Sequence, residues 1–256
     1  MVRSLYTACT GMVHQMNRLD VVTNNMANSD TTAYKKEGST SQSFDSVYGI
    51  KINDSSVNYI HQNIGRMSLG VKVGETYTDY GDGNLEETEQ LYDMALSGKG
   101  FFAISYADRN GNESVRYTRD GNFTVNSQGV LVTKDGDFVL AEDGGLINIP
   151  EGVKISVDES GRITADGQEI AQLQLVDFED YNYLKKFGEN MYIAIDGATT
   201  TDAQCKVYQG YLEASNVNVV TEMVDMITIT RDYESNQKVI QTIDSTLEKS
   251  VALGRA

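Results

Sequence analysis

Apolar residues recur at alternating spacings of three and four along the first 26 residues of the chain. The stripe consists of Val2, Leu5, Cys9, Met12, Met16, Leu19, Thr23 and Met26. This pattern is typical of one face of an amphipathic helix that is able to form a coiled coil. Asparagine tolerates a left-handed backbone and competes for local hydrogen bonds. Asn24, Asn25 and Asn28 therefore predict the end of this helix.

A second apolar stripe lies near the other end of the chain. It consists of Val219, Met223, Met226, Ile229, Tyr233, Ile240, Ile243 and Leu247. A single helix over residues ~218 to 251 would be about 50 Å long at about 1.5 Å per residue. No glycine or proline interrupts it before Gly254, and Asn216 or Asn218 is expected to cap its start.

The middle of the chain is rich in β-branched and aromatic residues and is punctuated by turn dipeptides. These are Asn110-Gly111, Asp120-Gly121, Gln128-Gly129, Asp135-Gly136, Gly144-Gly145, Ser160-Gly161 and Asp166-Gly167. Because such dipeptides join short antiparallel strands, the pattern predicts a β-rich domain. The predicted strands are 101–107, 114–118, 130–133, 138–141, 153–157 and 169–178. Residues 38–85 are expected to be extended chain with a few strands.

Together these elements predict an α+β fold, in which the two terminal helices pair as a coiled-coil-like stem around a central antiparallel β-rich domain. The expected domains are a helical stem (1–37 with 206–256), an extended connecting segment (38–85) and the β-rich domain (86–205). Periodicity alone leaves two interpretations of the stripes open. They either pair within one chain as a helical hairpin or contact neighbouring copies.

The charge of the chain argues against nucleic acid and membrane partners. Lys and Arg number 21 and Asp and Glu 37, which gives a net charge of −16. Such a chain repels phosphate backbones and anionic lipid surfaces. No stretch approaches the ~18 consecutive apolar residues of a membrane span, and the N-terminus lacks the pattern of a cleaved signal peptide. Cys9 and Cys205 predict no disulfide framework, and Cys9 is expected to be buried as a small apolar residue.

Sequence patterns for catalysis, metal binding and cofactor binding are missing. The chain has two histidines, His14 and His61, and no Cys-x-x-Cys, His-Glu-x-x-His or Gly-x-Ser-x-Gly motif. We therefore expect no catalytic residue, no metal and no cofactor. His14 lies off the main stripe, which favours a surface or interface position. The carboxylates Glu86, Glu87, Glu89 and Asp93 keep an acidic hydrolase among the hypotheses, beside a soluble binding module or export chaperone.

Three ordered motifs resemble those of flagellar rod and hook proteins. The first, NNMANSDTTAYK, spans residues 24–35, and the last, YQGYLEASNVNVVTEMVDMITITRDYESNQKVIQTIDS, spans residues 208–245. Between them, GKGFF at 98–102 and YTRDGNF at 117–123 are similar to motifs of the β-domain in that family. Within the family, the chain is most similar to distal rod subunits, with a proximal rod subunit or a hook protein as the alternative.

The resemblance implies a structural subunit of the bacterial flagellar basal-body rod that is not an enzyme. Such a subunit leaves the cell through the flagellar type III export apparatus without a cleaved signal peptide. It polymerises through its terminal helices into a tubular filament that transmits torque. Its partners would be further copies, other rod subunits and hook-side axial proteins. The two stripes listed above without Val2 and Thr23, together with Asn24, Asn25 and Asn28, are the expected assembly interface.

Overall fold

The computed structural model describes residues 2–52, 61–107, 113–150, 153–188 and 190–254. The chain divides into two compact units. The helical unit contains Met1–Ala27, Glu37–Asp79 and Asn218–Ala256, and the β-rich unit contains Asn28–Lys36 and Tyr80–Val217. The fold is α+β, with N- and C-terminal helices and a central antiparallel β domain. None of the helices in the described ranges is both long and apolar enough to cross a membrane.

In its described residues, the helical unit contains two long helices and four strands. They are α1 (Val2–Ala27), β1 (Glu37–Ser43), β2 (Val47–Ile52), β3 (His61–Met67), β4 (Val71–Thr78) and α2 (Val219–Leu253). Strand β1 pairs antiparallel with β4, and β2 pairs antiparallel with β3. Both helix predictions are confirmed: α1 ends among the expected asparagines, and Asn218 caps α2 by accepting a hydrogen bond from the Thr221 N–H at 3.2 Å.

The β-rich unit consists of short antiparallel strands and one 3₁₀ turn, Tyr181–Tyr183. Its strands are β5 (Leu85–Glu87), β6 (Met94–Lys99), β7 (Phe101–Ala107), β8 (Glu113–Thr118), β9 (Phe123–Val125), β10 (Leu131–Thr133), β11 (Phe138–Val139), β12 (Ile155–Val157), β13 (Arg162–Ala165), β14 (Gln168–Gln172), β15 (Leu175–Phe178), β16 (Leu184–Phe187), β17 (Met191–Ala194), β18 (Thr200–Asp202), β19 (Gln204–Gln209) and β20 (Tyr211–Glu213). Within the described part of the chain, the largest sheet has the order β16-β17-β8-β7-β11-β10-β9, and β15 joins it by pairing with β7 and β18. The ladders β12-β13-β14, β19-β6 and β20-β5 complete the unit.

Strand β7 lies at the centre of the β-rich unit because both of its faces are buried. Successive side chains of a strand point to opposite faces. Phe102 accordingly packs into a cluster with Phe123 and Leu131, whereas Phe101 packs into a second cluster with Phe178 and Tyr192. The rings of Phe101 and Tyr192 are 5.5 Å apart in an edge-on arrangement. The two adjacent phenylalanines of the GKGFF motif therefore hold two apolar clusters together.

The predicted strand 101–107 matches β7 residue for residue, and the predicted strand 114–118 lies within β8. The predicted strands 130–133, 138–141 and 153–157 each contain an observed strand. The predicted strand 169–178 is wrong as a single strand, because the chain divides there into β14 and β15. The predicted turn at Asp166-Gly167 joins β13 to β14, with φ values of 50° and 82°. Both values are in the left-handed region that a two-residue hairpin requires. The turn predicted at Asn110-Gly111 lies outside the described residues.

Residues 38–85 contain strands β1 to β4 and the start of β5. The predicted division into a stem (1–37 with 206–256), a connecting segment (38–85) and a β-rich domain (86–205) describes roles in an assembly. That division stays a prediction.

Candidate functional site

Helices α1 and α2 pack against each other within the helical unit. The inner face of α1 consists of Leu5, Ala8, Met12, Gln15, Leu19, Val22 and Met26, all buried or half-buried. The inner face of α2 consists of Val219, Glu222, Met226, Ile229, Tyr233, Asn236, Ile240 and Ile243, also buried or half-buried. In both helices these residues alternate at spacings of three and four, which is the pattern by which helices pack side by side.

Polar and small residues set the contact between the helices at three levels. Near the middle, Gln15 Nε2 donates a hydrogen bond to Asp232 Oδ2 at 3.1 Å. One turn earlier in α1, Gly11 leaves room for Asn236, because a Cβ at position 11 would lie 3.1 Å from the Asn236 amide nitrogen. At the other end of the pair, Asn25 Nδ2 donates to Glu222 Oε2 at 3.3 Å. These contacts favour one register of the helix pair over others.

A small groove accompanies the helix contact. It has a volume of about 180 Å³ and is lined by Gln15, Met16, Leu19, Ile229, Thr230 and Tyr233. Its walls are mostly apolar, and it holds no group that suits catalysis. Its chemistry suits an apolar side chain.

The structure places the residues of the two predicted stripes in different environments. Ile229 is buried, and nine others are half-buried on the inner faces: Leu5, Met12, Leu19, Met26, Val219, Met226, Tyr233, Ile240 and Ile243. Cys9, Met16, Met223 and Leu247 are exposed. The expectation that Cys9 is buried is therefore wrong, and both Cys9 and Cys205 are free thiols. Whether the stripes form an assembly interface stays a prediction.

Both helices also carry exposed apolar side chains outside their inner faces. Those that we call the outer apolar surface are Tyr6, Val13 and Met16 on α1 and Val220, Met223, Val224 and Ile227 on α2. Each of these side chains is at least half exposed, and Val220 is 71% exposed. Exposed apolar residues commonly mark a protein interaction surface when they form a large patch.

The three asparagines at the end of α1 have separate surroundings. Asn24 is exposed, whereas Asn25 is 1% exposed and also binds the backbone of Glu37. Its Nδ2 donates to the Glu37 carbonyl at 2.8 Å, and its Oδ1 accepts from the Glu37 N–H at 2.9 Å. Asn28 belongs to the β-rich unit, where its carbonyl accepts a hydrogen bond from the Thr31 N–H at 3.3 Å. Asn25 therefore fixes the exit of α1 to the start of β1.

His14 is buried in the single chain, so the expected surface position is wrong, whereas the alternative of an interface position stays a prediction. Its Nε2 lies 2.9 Å from Ser41 Oγ on β1, in a pocket that Phe44, Val71 and Lys72 also line. Burial and, to a smaller extent, the positive charge of Arg18 lower the pKa of His14 below its ordinary value. A neutral imidazole is therefore favoured where α1 packs on the strands.

The carboxylates that kept a hydrolase among the hypotheses have different surroundings. Asp93 is buried and accepts the Thr88 hydroxyl hydrogen bond at 2.6 Å, whereas Glu86, Glu87 and Glu89 are exposed. In the part of the chain that the structure describes, no group of three or more His, Cys, Asp and Glu residues is arranged to hold a metal ion.

Sequence reasoning missed five inner-face residues: Ala8, Gln15, Val22, Glu222 and Asn236. The signal for α1 was present, because Leu5, Met12, Leu19 and Met26 belong equally to a stripe through Ala8 and Val22. The signal for α2 was weaker, because Glu222 and Asn236 are polar and were not counted in an apolar pattern.

Two of the recognised motifs are explained by close packing in the β-rich unit. A Cβ at Gly121 of YTRDGNF would lie 1.5 Å from the Met94 carbonyl oxygen, so only glycine fits there. Gly98 of GKGFF has φ of 102°, and a Cβ there would lie 2.9 Å from the Gln204 carbonyl oxygen. These glycines allow β6, β19 and the loop before β9 to approach closely.

Comparison with known families supports the same assignment along the chain. Residues 5–35 match the family described as flagella basal body rod protein. Residues 95–165 match the flagellar hook protein FlgE/F/G D1 domain, and residues 208–253 match the flagellar basal body rod FlgEFG protein C-terminal family. The matched segments include nearly all of α1, much of the β-rich unit and all of α2.

Relatives match over nearly the full length of the chain. The flagellar basal-body rod protein FlgG of Buchnera aphidicola subsp. Schizaphis graminum is 33% identical, with 97% of this chain and 98% of the relative covered. FlgG of Bacillus subtilis is 32% identical, with both chains fully covered. FlgF of Caulobacter vibrioides is 34% identical, with 98% of this chain and 96% of the relative covered. These relatives are named as rod proteins, which is consistent with a chain that is not an enzyme, and this chain belongs to the flagellar basal-body rod protein family.

Proposed function

We propose that the chain is a structural subunit of the flagellar rod that polymerises through its terminal helices into a tubular axial filament. In this role it transmits torque from the motor to the hook and resides in the basal body. Its partners are further copies, other rod subunits and hook-side axial proteins. It reaches them through the flagellar type III export apparatus. Family membership supports the rod assignment.

The observation that carries the proposal is the outer apolar surface. Pairing of α1 with α2 buries one face of each helix, yet Val13, Met16, Val220 and Val224 stay at least half exposed. A helix whose only purpose was an intramolecular hairpin would present polar residues there. The remaining apolar area is suited to helices of neighbouring copies.

The proposed pairing of the helices is coiled-coil-like. The inner faces have the alternating three and four spacing of a coiled-coil seam, and Glu222 and Asn236 are polar residues within it. Polar residues at seam positions select one register at some cost in stability. A contact between different surfaces of successive copies does not close on itself, and repetition of such a contact generates a helical filament.

The proposal is tested with the purified full-length chain. We expect its sedimentation to become concentration-dependent and filaments to appear by electron microscopy. Val224→Asp places a charge on the outer apolar surface and should abolish assembly while the monomer stays folded. Gln237→Asp adds the same charge at an exposed polar position of α2 and should assemble as the native chain does. Equal assembly of both variants would contradict a role of the outer apolar surface.

A further inference from the structure

Four charged side chains meet inside the β-rich unit. Lys35 and Glu213 are each 1% exposed, Arg119 is 3% exposed, and Asp82 lies at the edge of the group. Lys35 Nζ lies 2.6 Å from Glu213 Oε1, and Arg119 Nη1 lies 3.4 Å from Glu213 Oε2 and 3.1 Å from Asp82 Oδ1. We call these four residues the buried charge cluster. It contains two cations and two carboxylates, so its formal charges balance.

Glu213 is the centre of the cluster and uses both its side chain and its backbone. Its Oε1 also accepts the Gly83 N–H at 2.8 Å, and its carbonyl oxygen accepts the Ala33 N–H at 2.7 Å. The two cations extend the connections further, because Lys35 Nζ donates to the Gly81 carbonyl at 2.8 Å and Arg119 Nη2 donates to the Gly98 carbonyl at 2.6 Å. One carboxylate therefore joins residues 28–36, residues 80–83 and the end of β20.

These three segments are the places where the chain passes between its two units. The β-rich unit ends at Lys36, resumes at Tyr80 and ends again at Val217. Asn216 reinforces the same connection, because its Oδ1 accepts the Lys36 N–H at 2.7 Å and its Nδ2 donates to the Gly81 carbonyl at 3.2 Å. We call residues 28–36, 80–84 and 213–217 the junction segments.

Stability alone does not explain a buried charge cluster at this position. Removing charged groups from water is costly, and an apolar replacement of a buried ion pair is often neutral or stabilising. Burial accordingly lowers the pKa of Lys35, although the neighbouring Glu213 opposes that effect. However, an arrangement in which one member of the cluster is moved away would leave an unpaired charge buried. The free energy of every such arrangement is therefore raised. A buried charge cluster of this kind therefore favours one arrangement of the chain segments to which its residues belong.

We propose that the buried charge cluster is a conformational lock, which holds the three junction segments in a single arrangement and releases them together as one cooperative unit. The segments are far apart in the sequence, so contacts within one segment do not fix its position relative to the other two. The lock is a property of the single folded chain and does not depend on the proposed role in the rod.

Hydrogen exchange of the full-length chain tests the lock. The reporters are the amides of Ala33 and Ala214, which donate to Glu213 and Asn84, together with that of Gly83. In the double variant Lys35→Met with Glu213→Gln, we expect these three amides to exchange at least tenfold faster. The core amides of Leu131 and Ile149, which donate to Ile147 and Gly129, should keep their native rates.

The chain offers a matched control in the Lys206–Glu159 ion pair. Its atoms are 2.7 Å apart, but both side chains are 60% exposed. The double variant Lys206→Met with Glu159→Gln should leave all five amides unchanged. If the junction amides keep their native rates in the Lys35 and Glu213 variant, or if the core amides accelerate equally, the cluster is not a lock.

The native chain provides a second measurement that needs no substitution. Hydrogen exchange in low concentrations of urea gives the free energy of opening of each amide and its dependence on urea. Ala33, Gly83 and Ala214 should share one value of each quantity. Both values should be lower than those of Leu131. Three different urea dependences would show that the junction segments open independently, which would overturn the proposal even if the variant failed to fold.

Discussion

Asn25 and Glu222, which are 197 residues apart, are hydrogen-bonded to each other in the interior of the helical unit, where each is 1% exposed. The same Asn25 side chain donates to the carbonyl of Glu37 and accepts from its N–H. One amide group therefore joins the last turn of α1, the first residue of β1 and the first turn of α2. An asparagine expected to end a helix is also a contact between distant elements of the helical unit.

We expect Asn25→Ala to lower the free energy of unfolding by about 1 to 3 kcal/mol, because it leaves the buried polar groups of Glu37 and Glu222 without this amide. The measurement is urea unfolding followed by circular dichroism at the helix signal. Asn24→Ala is the control, because Asn24 is exposed and its change should stay within about 0.5 kcal/mol. Equal losses in the two variants would show that the Asn25 contacts contribute nothing specific.

Comparison of Ile229→Ala with Val224→Ala should distinguish a residue that stabilises the monomer from a residue of the outer apolar surface. Ile229 is 1% exposed, and truncation of a buried isoleucine costs about 2 to 5 kcal/mol. Val224 lies on the same helix but is 57% exposed, so Val224→Ala should change the free energy of unfolding by less than about 0.5 kcal/mol. Urea unfolding of monomers at low concentration measures both. A large loss from Val224→Ala would mean that this side chain is buried within the single chain.

Two N-terminal truncations should differ sharply in their effect on the β-rich unit. Removal of residues 1–27 takes away only α1, so the β-rich unit should keep its strand content and its cooperative unfolding. Removal of residues 1–36 also takes away Tyr34 and Lys35, which are 1% exposed, and leaves Glu213 buried without its lysine. We expect that loss to cost about 3 to 5 kcal/mol. Near-ultraviolet circular dichroism during thermal unfolding compares the two. Similar unfolding of both truncations would contradict the assignment of residues 28–36 to the β-rich unit.

The stability of the helical unit should fall in mild acid because of His14. Burial and the charge of Arg18 hold its pKa in the folded chain below the ordinary value of 6.5. As the pH falls, the unfolded chain therefore binds the proton first. Above its pKa in the unfolded chain, neutral His14 makes its full contribution to the free energy of unfolding. That contribution is lost as the pH falls through its pKa in the folded chain.

This pH dependence can be measured by urea unfolding between pH 7.5 and pH 5, with His14→Gln as the control. The native chain should lose more stability over that interval than the variant does, because glutamine does not titrate. Nuclear magnetic resonance titration of the His14 ring gives the pKa directly. A ring that titrates at or above the ordinary value would refute the prediction.

Local patterns in the sequence determined the elements of this protein. The two helices and strand β7 follow from apolar periodicity, cap residues and turn dipeptides, all of which act between residues that are close in the chain. The split of the predicted strand 169–178 was not determined in this way, because β14 pairs with β13 whereas β15 pairs with β7 and β18. Those pairings depend on distant partners.

The inner face of α1 was decided only by the tertiary structure. Leu5, Met12, Leu19 and Met26 belong to two possible stripes, one through Cys9 and Met16 and the other through Ala8 and Val22. Both stripes are largely apolar, so periodicity does not choose between them. The partner helix and the strands that pack on α1 bury Ala8 and Val22 and leave Cys9 and Met16 exposed.

The buried polar contacts were likewise decided by the tertiary structure. By residue type, Lys35, Arg119 and Glu213 are expected at the surface. Glu222 is expected there too, as a negative charge that stabilises the first turn of a helix. Each is buried because a partner many residues away satisfies its charge or its hydrogen bonds. Burial of a charge is favourable only when such a partner is in place, and the identity of that partner depends on how the whole chain folds.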